Sequence, residues 1–150
     1  MTTTVDYNDL VARLREQFGE SFTVSGEYIE MSQATIAQAA EYVKKTLDFD
    51  YLDMITAADY TDHFELIYRL QSIKNSTLVS FKVKCSKENP SVPSLANLWL
   101  GASFQEREIY DLFGIEFREH PHLKRIVLWD DFEGHPLRKD FKGRVYGAGN

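Results

Sequence analysis

Residues 63–85 read HFELIYRLQSIKNSTLVSFKVKC, and the fold turns on them. Phe64, Leu66, Tyr68 and Leu70 alternate with His63, Glu65, Ile67 and Arg69. After Lys74-Asn75-Ser76, Val79, Phe81, Val83 and Cys85 alternate with Leu78, Ser80, Lys82 and Lys84. A period of two with one apolar side belongs to strands buried on a single face. The spacing predicts strands over 63–73 and 77–85. Thr61-Asp62 joins the first to another strand over 51–59, so the three form an antiparallel meander.

Upstream, Asp6 is placed to cap a helix over 6–18, with Leu10, Val11, Leu14 and Phe18 in one stripe and Gly19 as its stop. Residues 22–25 and 28–31 flank Gly26-Glu27 and read as a hairpin. Ser32 then caps a second helix, whose Ile36, Ala39, Ala40, Val43 and Leu47 fall on one face. The expected architecture is two-layer α+β, with helices packed on one side of a mostly antiparallel or mixed sheet. No linker, repeat or low-complexity stretch divides the chain. It is expected to be one domain: an α+β core over 1–90, an extended docking segment over 91–141 and a short tail over 142–150.

That docking segment begins as a helix. Ser103 followed by Glu106 fits a capping box, and Gly114 stands where a helix takes a left-handed stop. Between them Glu106, Arg107, Glu108 and Asp111 put four charges on barely two turns. Residues 115–141 show no periodicity and scatter Arg125, Asp130, Asp131, Arg138, Lys139 and Asp140 among Leu123, Ile126, Val127, Leu128, Trp129 and Phe132. A segment this apolar and this charged lies over its own core or over another protein. Glu108 and Asp111 are expected to work internally, holding Arg125 or its backbone. Arg138 and Lys139, in the more basic end of the chain, are expected to face a partner.

Composition narrows the classes. The 150 residues carry a net charge of −6, which argues against nonspecific nucleic-acid binding. Residues 1–123 hold 11 basic and 19 acidic side chains, residues 124–150 hold 6 and 4. Cys85 is the single cysteine, so neither an internal disulfide nor a self-contained four-cysteine iron–sulfur cluster can form. Met-Thr-Thr-Thr does not open a signal peptide, and no run of about 20 apolar residues spans a bilayer. A cytoplasmic chain, held at any membrane by other subunits, is expected. The glycines match no dinucleotide or phosphate loop. A metal-dependent hydrolase built on His120, His122 and Asp131 is the alternative of another class, but Pro121 interrupts the histidine pair and no helical His-x-x-x-His fixes two ligands. Asp130 with Asp131, or Glu106 with Glu108, are too close in sequence to converge on one reacting atom. From these features alone the chain reads as an α+β binding domain.

The block VPSLANLWLGASFQEREIYDLFGIEF, followed by HPHLKRIVLWDDFEGHPLRKDF, resembles the 30-kDa peripheral-arm subunit of proton-translocating NADH:quinone oxidoreductase, respiratory complex I. The likeness rests on Val92-Pro93-Ser94-Leu95, Trp99, Glu106-Arg107-Glu108, Asp111, Phe113-Gly114, His120-Pro121, Arg125, Asp130-Asp131, Gly134, Pro136-Leu137 and Arg138-Lys139-Asp140. Asp59-Tyr60 also looks familial. Glu119 departs from it, standing where glycine is usual, as does His122, where Asp or Asn is common. The resemblance implies a non-redox subunit at the cytoplasmic face of the cell membrane, packed on the large quinone-chamber subunit beside iron–sulfur subunits. It implies no cofactor in this chain, iron–sulfur clusters and quinone in its partners, no nucleic acid, and membrane contact through the complex alone. The equivalent subunit of a membrane-bound energy-conserving hydrogenase is the nearest alternative.

Overall fold

The computed structural model describes residues 4–142, so of the expected tail only Lys142 is seen and 143–150 lie outside the described residues. The elements run α1 (Tyr7–Phe18), β1 (Phe22–Ser25), β2 (Tyr28–Met31), α2 (Gln33–Lys45), β3 (Tyr51–Asp59), β4 (His63–Ser72), β5 (Thr77–Ser86), β6 (Ser91–Pro93), α3 (Leu100–Phe113) and β7 (Glu116–Arg118). Both N-terminal helices start where their caps predict. The Asp6 carboxylate accepts the Asp9 N–H at 2.8 Å while the Asp9 carboxylate accepts the Asp6 N–H, and Ser32 accepts the Thr35 N–H at 3.3 Å.

Five strands form one sheet in the order β1-β2-β5-β4-β3. The meander is antiparallel, with Phe64 opposite Cys85, Tyr68 opposite Phe81 and Leu70 opposite Leu52. β2 joins β5 in parallel, with Ile29 beside Phe81, so the sheet is mixed. The crossover through α2 makes this possible, since parallel neighbours need a long connection. One face carries Ile29, Phe64, Leu66, Tyr68, Leu70, Val79, Phe81 and Val83, all essentially inaccessible, and all three helices pack there in a single core with Leu10, Leu14, Ile36, Ala40, Val43, Ile109 and Phe113. The Phe64 and Phe113 rings meet edge to face at 6.1 Å. The opposite face holds Glu65, Arg69, Lys82, Lys84 and Glu30, laced by ion pairs such as Lys84–Glu30 at 3.3 Å.

β3 forms the outer edge, and α3 lies against it. β3 carries a register shift between Leu52 and Met54, and on its open side the Ile55 N–H donates to Gln105 Oε1 of α3 at 2.6 Å. The edge is thereby partly capped by a side chain in place of a strand. A second, two-stranded parallel sheet pairs β6 with β7, Val92 beside Phe117. It brackets α3 at both ends and delivers the chain to residues 119–142, which have no regular structure and run back across α3.

The capping box expected at Ser103 is absent. α3 begins earlier, at Leu100, with Trp99 at the cap position and no side-chain cap bond. Ser103 lies inside the helix, and Glu106 points into the protein.

Candidate functional site

Residues 119–142 form a strap, and the C-terminal end of α3 is what it is tied to. The last carbonyls of a helix have no partner within the helix. Here Gly114, left-handed at φ 77°, closes the turn by donating to the Tyr110 carbonyl. The next three carbonyls are satisfied from the strap. His135 Nδ1 donates to the Asp111 carbonyl at 2.9 Å, the Leu137 N–H to the Leu112 carbonyl at 2.9 Å, and Arg138 Nε to the Phe113 carbonyl at 2.5 Å. A guanidinium at a helix C-terminus also suits the helix dipole. The His135 ring sits so close to Gly114 that a Cβ there would come within 2.6 Å of it, so glycine is demanded twice at this position.

Asp111 anchors the strap's middle. Its Oδ2 accepts the N–H groups of Ile126, Val127 and Leu128 at 3.1, 2.8 and 2.8 Å, and Oδ1 lies 3.4 Å from Arg125. The carboxylate is fully buried. Arg125 also donates to the Gly134 carbonyl at 2.9 Å and lies over the Phe132 ring. Phe132 in turn meets Trp129 edge to face and stacks on Phe141. Arg107 donates to the Lys124 and Arg125 carbonyls at 3.0 and 3.3 Å. A chain without ladder hydrogen bonds is thus fixed by side chains reaching its backbone.

Asp59, at the end of β3, anchors the far end. It accepts the Lys139 N–H at 2.8 Å and pairs with Lys87. Burial alone would raise its carboxyl, but the Lys87 ammonium and the Lys139 amide hold it below the usual range. The sequence marks Asp59 only as a familial residue. Its role needs the pairing of residues 80 positions apart, for which no local signal exists.

Two expected roles are corrected. Arg138 does not face outward: besides the Phe113 carbonyl it covers the Phe64 ring at 5.3 Å, because the strap turns it onto the helix end. Glu108, expected to help hold Arg125, is exposed on the outer side of α3, and the carboxylate beside Arg125 is that of Asp111. Lys139 uses its backbone on Asp59 and keeps its side chain at the surface. Asp130, Asp131 and Asp140 are exposed and make no ion pair among the described residues.

His120 is shielded, with Nε2 3.1 Å from the Ser103 carbonyl and Nδ1 accepting the His122 N–H at 2.9 Å. Both ring nitrogens are engaged with the backbone, while His122 and Asp131 are exposed. Among the described residues no group of three His, Cys, Asp or Glu side chains is arranged to hold a metal ion. The hydrolase constellation is not brought together. Cys85 is buried, and burial pushes its thiol up to about 11, which suits a core residue and not a nucleophile.

What the strap leaves outside is apolar. Val127, Trp129 and Leu137 are each more than half exposed, and Ile126 is partly so. A scaffold that displays such side chains beside Asp130 and Asp131 is suited to binding.

The model of the respiratory-chain NADH dehydrogenase 30-kDa subunit family matches residues 29–146, from β2 through the strap. The chain belongs to that family. Among its relatives, the C subunit of NADH-quinone oxidoreductase from Roseiflexus sp. is 37% identical over 146 residues, covering 91% of this chain and 84% of the relative. The corresponding C subunit from Moorella thermoacetica is 44% identical over 108 residues, covering 71% and 73%. The fold recurs in a trypsin-resistant fragment of Nqo5, with a TM-score of 0.67, 24% identity and coverage of 76% of this chain and 99% of that one. It recurs too in a membrane-bound sulfane sulfur reductase, described as an archaeal respiratory membrane complex, with a TM-score of 0.77, 23% identity and coverage of 90% and 85%. At those identities the two structures share a fold with this 30-kDa family member and nothing finer.

Proposed function

We propose that this chain is the non-redox peripheral-arm subunit of a proton-translocating NADH:quinone oxidoreductase, and that it docks on the large quinone-chamber subunit through the outer side of its strap. Family membership supports the assignment to the complex. The observation that carries the docking role is the strap itself. Asp59, Asp111 and Arg138 turn their charges inward to fix its path, while Val127, Trp129 and Leu137 are left outward. A preformed surface binds without the ordering cost that a flexible segment incurs.

In this reading the chain carries no cofactor, and electron transfer runs through iron–sulfur clusters and quinone held by its neighbours. It rests at the cytoplasmic face of the membrane through those neighbours. No described helix is long and apolar enough to cross a bilayer. The chain would support assembly and hold the electron-transfer subunits in register.

Affinity purification of the tagged chain from its native membranes tests the reading. Recovery of a complex that holds iron–sulfur subunits and oxidises NADH with quinone is the expected result. Recovery with hydrogenase subunits would assign it to the alternative donor complex, and recovery alone from intact complexes would overturn it.

A further inference from the structure

Glu106 lies on the same helix as the strap anchors Arg107 and Asp111 but faces the other way, into the domain. Its side chain is wholly buried. Oε2 receives the Ser94 hydroxyl at 2.6 Å and Oε1 the Leu95 N–H at 2.6 Å. Among the described residues, no lysine or arginine pairs with it from the elements packed around it. Arg107 reaches out to the Lys124 and Arg125 carbonyls, Arg118 to Ser91 and Gln33, and Arg125 to Asp111. From β4 comes the Tyr68 hydroxyl, itself buried without a hydrogen-bond partner among the described residues. From the strap comes His120, whose Nε2 is 3.8 Å from Oε2. Since Nδ1 accepts the His122 N–H, the ring proton lies on Nε2 and points to the Ser103 carbonyl at 3.1 Å.

We propose that Glu106 is held as a neutral carboxylic acid, and that its ionisation acts as a latch on the first turn of the strap through His120. A buried carboxylate with two neutral donors and no counter-charge is a costly arrangement. Burial pushes the acid up to about 7, against the Ser94 and Leu95 bonds that lower it. As a neutral acid, Glu106 can donate its proton to Ser94 Oγ, and the His120 proton stays on Ser103. Once that proton leaves for solvent, the Nε2–H of His120, whose nitrogen lies 3.8 Å from Oε2, can turn toward the anion. Swinging it from the Ser103 carbonyl to Oε2 shifts residues 119–122, where Glu119 already holds a left-handed φ of 65°. The device therefore couples proton loss inside the domain to the path of the strap. It stands on this chain's own geometry and is independent of which partner the strap meets.

The sign follows from linkage. A group that binds its proton more tightly when folded gives stability that is full below its unfolded value and is lost as pH rises to its folded one. His63, which the Glu65 and Asp62 carboxylates on the open face raise, titrates alike in wild type and variant and cancels in their difference.

The test uses the full-length chain labelled with 13C at glutamate carboxyls and 15N at histidine rings, titrated by NMR, alongside thermal unfolding of wild type and Glu106→Gln. One glutamate carboxyl should titrate near neutrality and vanish in Glu106→Gln, and the His120 ring signals should move with the same midpoint. From about pH 5 to about pH 9 the wild type should lose on the order of 5 °C in Tm relative to the variant. If every glutamate titrates in the ordinary carboxylate range, or the neutral-range signal persists in Glu106→Gln, the buried acid is refuted. A titrating Glu106 with an unmoved His120 ring would refute the latch. Should Glu106→Gln fail to fold, the joint movement of the two signals in the wild type decides alone.

Discussion

Asp111 and Arg125 lie 3.4 Å apart across the junction of α3 and the strap, the carboxylate sealed from solvent and the guanidinium nearly so. The same carboxylate holds three consecutive backbone N–H groups. Asp111→Ala strands a cation and three amides at once. Breaking one member of such a pair costs about 3–5 kcal/mol. Thermal unfolding of the free variant should show a loss of that order, with Asp111→Asn intermediate because it keeps an acceptor. A loss under about 1 kcal/mol, the size of an exposed ion pair, would show that the strap is not anchored there.

Arg138→Glu should destabilise the free domain. The substitution removes the donor to the Phe113 carbonyl and sets a negative charge against a helix C-terminus, where the dipole opposes it. Chemical denaturation should register a loss of about 1–3 kcal/mol. A free fold of unchanged stability would return Arg138 to the partner-facing role that its sequence context suggests.

Gly114→Ala meets two obstacles, a φ of 77° and a contact of 2.6 Å with the His135 ring. Glu119→Gly is its converse, since Glu119 holds φ 65° with its side chain exposed. The left-handed conformation costs a non-glycine residue roughly 1–2 kcal/mol, partly offset by glycine's greater chain entropy. Calorimetry should find Gly114→Ala clearly destabilised and Glu119→Gly stabilised by up to about 1 kcal/mol.

Acid should release the strap's far end. The Asp59 carboxyl is held below its usual range by Lys87 and the Lys139 amide. A depressed acid gives stability that is present above its unfolded value and lost as pH falls through its folded one. Limited proteolysis at falling pH should show cutting near Lys139 rising in the wild type, and an Asp59→Asn variant already cut there at neutral pH. Equal cutting of the two proteins at neutral pH would remove Asp59 from this role.

Much of this is legible in the chain because local rules wrote it. Alternation from Phe64 to Cys85 is a direct imprint of one-sided burial, and Asp6, Ser32 and Gly114 mark helix ends by chemistry that acts within three or four residues. The parallel β2–β5 contact stays open in the sequence because the α2 crossover hides the pairing. The Ser103–Glu106 spacing misleads because Glu106 takes its donors from Ser94 and Leu95 inside the domain, while α3 already begins at Leu100. Asp111 can be assigned inward because an irregular segment needs anchors. Arg138 cannot, since its partner is a backbone carbonyl at a helix end and not another charge.

The docking role stands or falls on Val127 and Leu137, which are more than half exposed on the strap's outer side. Val127→Glu with Leu137→Glu should leave the free fold within about 0.5 kcal/mol of wild type, as surface changes do, and should bury charge at the interface. The decisive measurement is quinone reduction per assembled complex, with assembly read from native gels of membranes carrying the double variant. The expected result is a large fall in assembled complex with unchanged turnover in what does assemble. Full assembly with lost turnover would contradict the scaffold role and place the strap in the reaction itself.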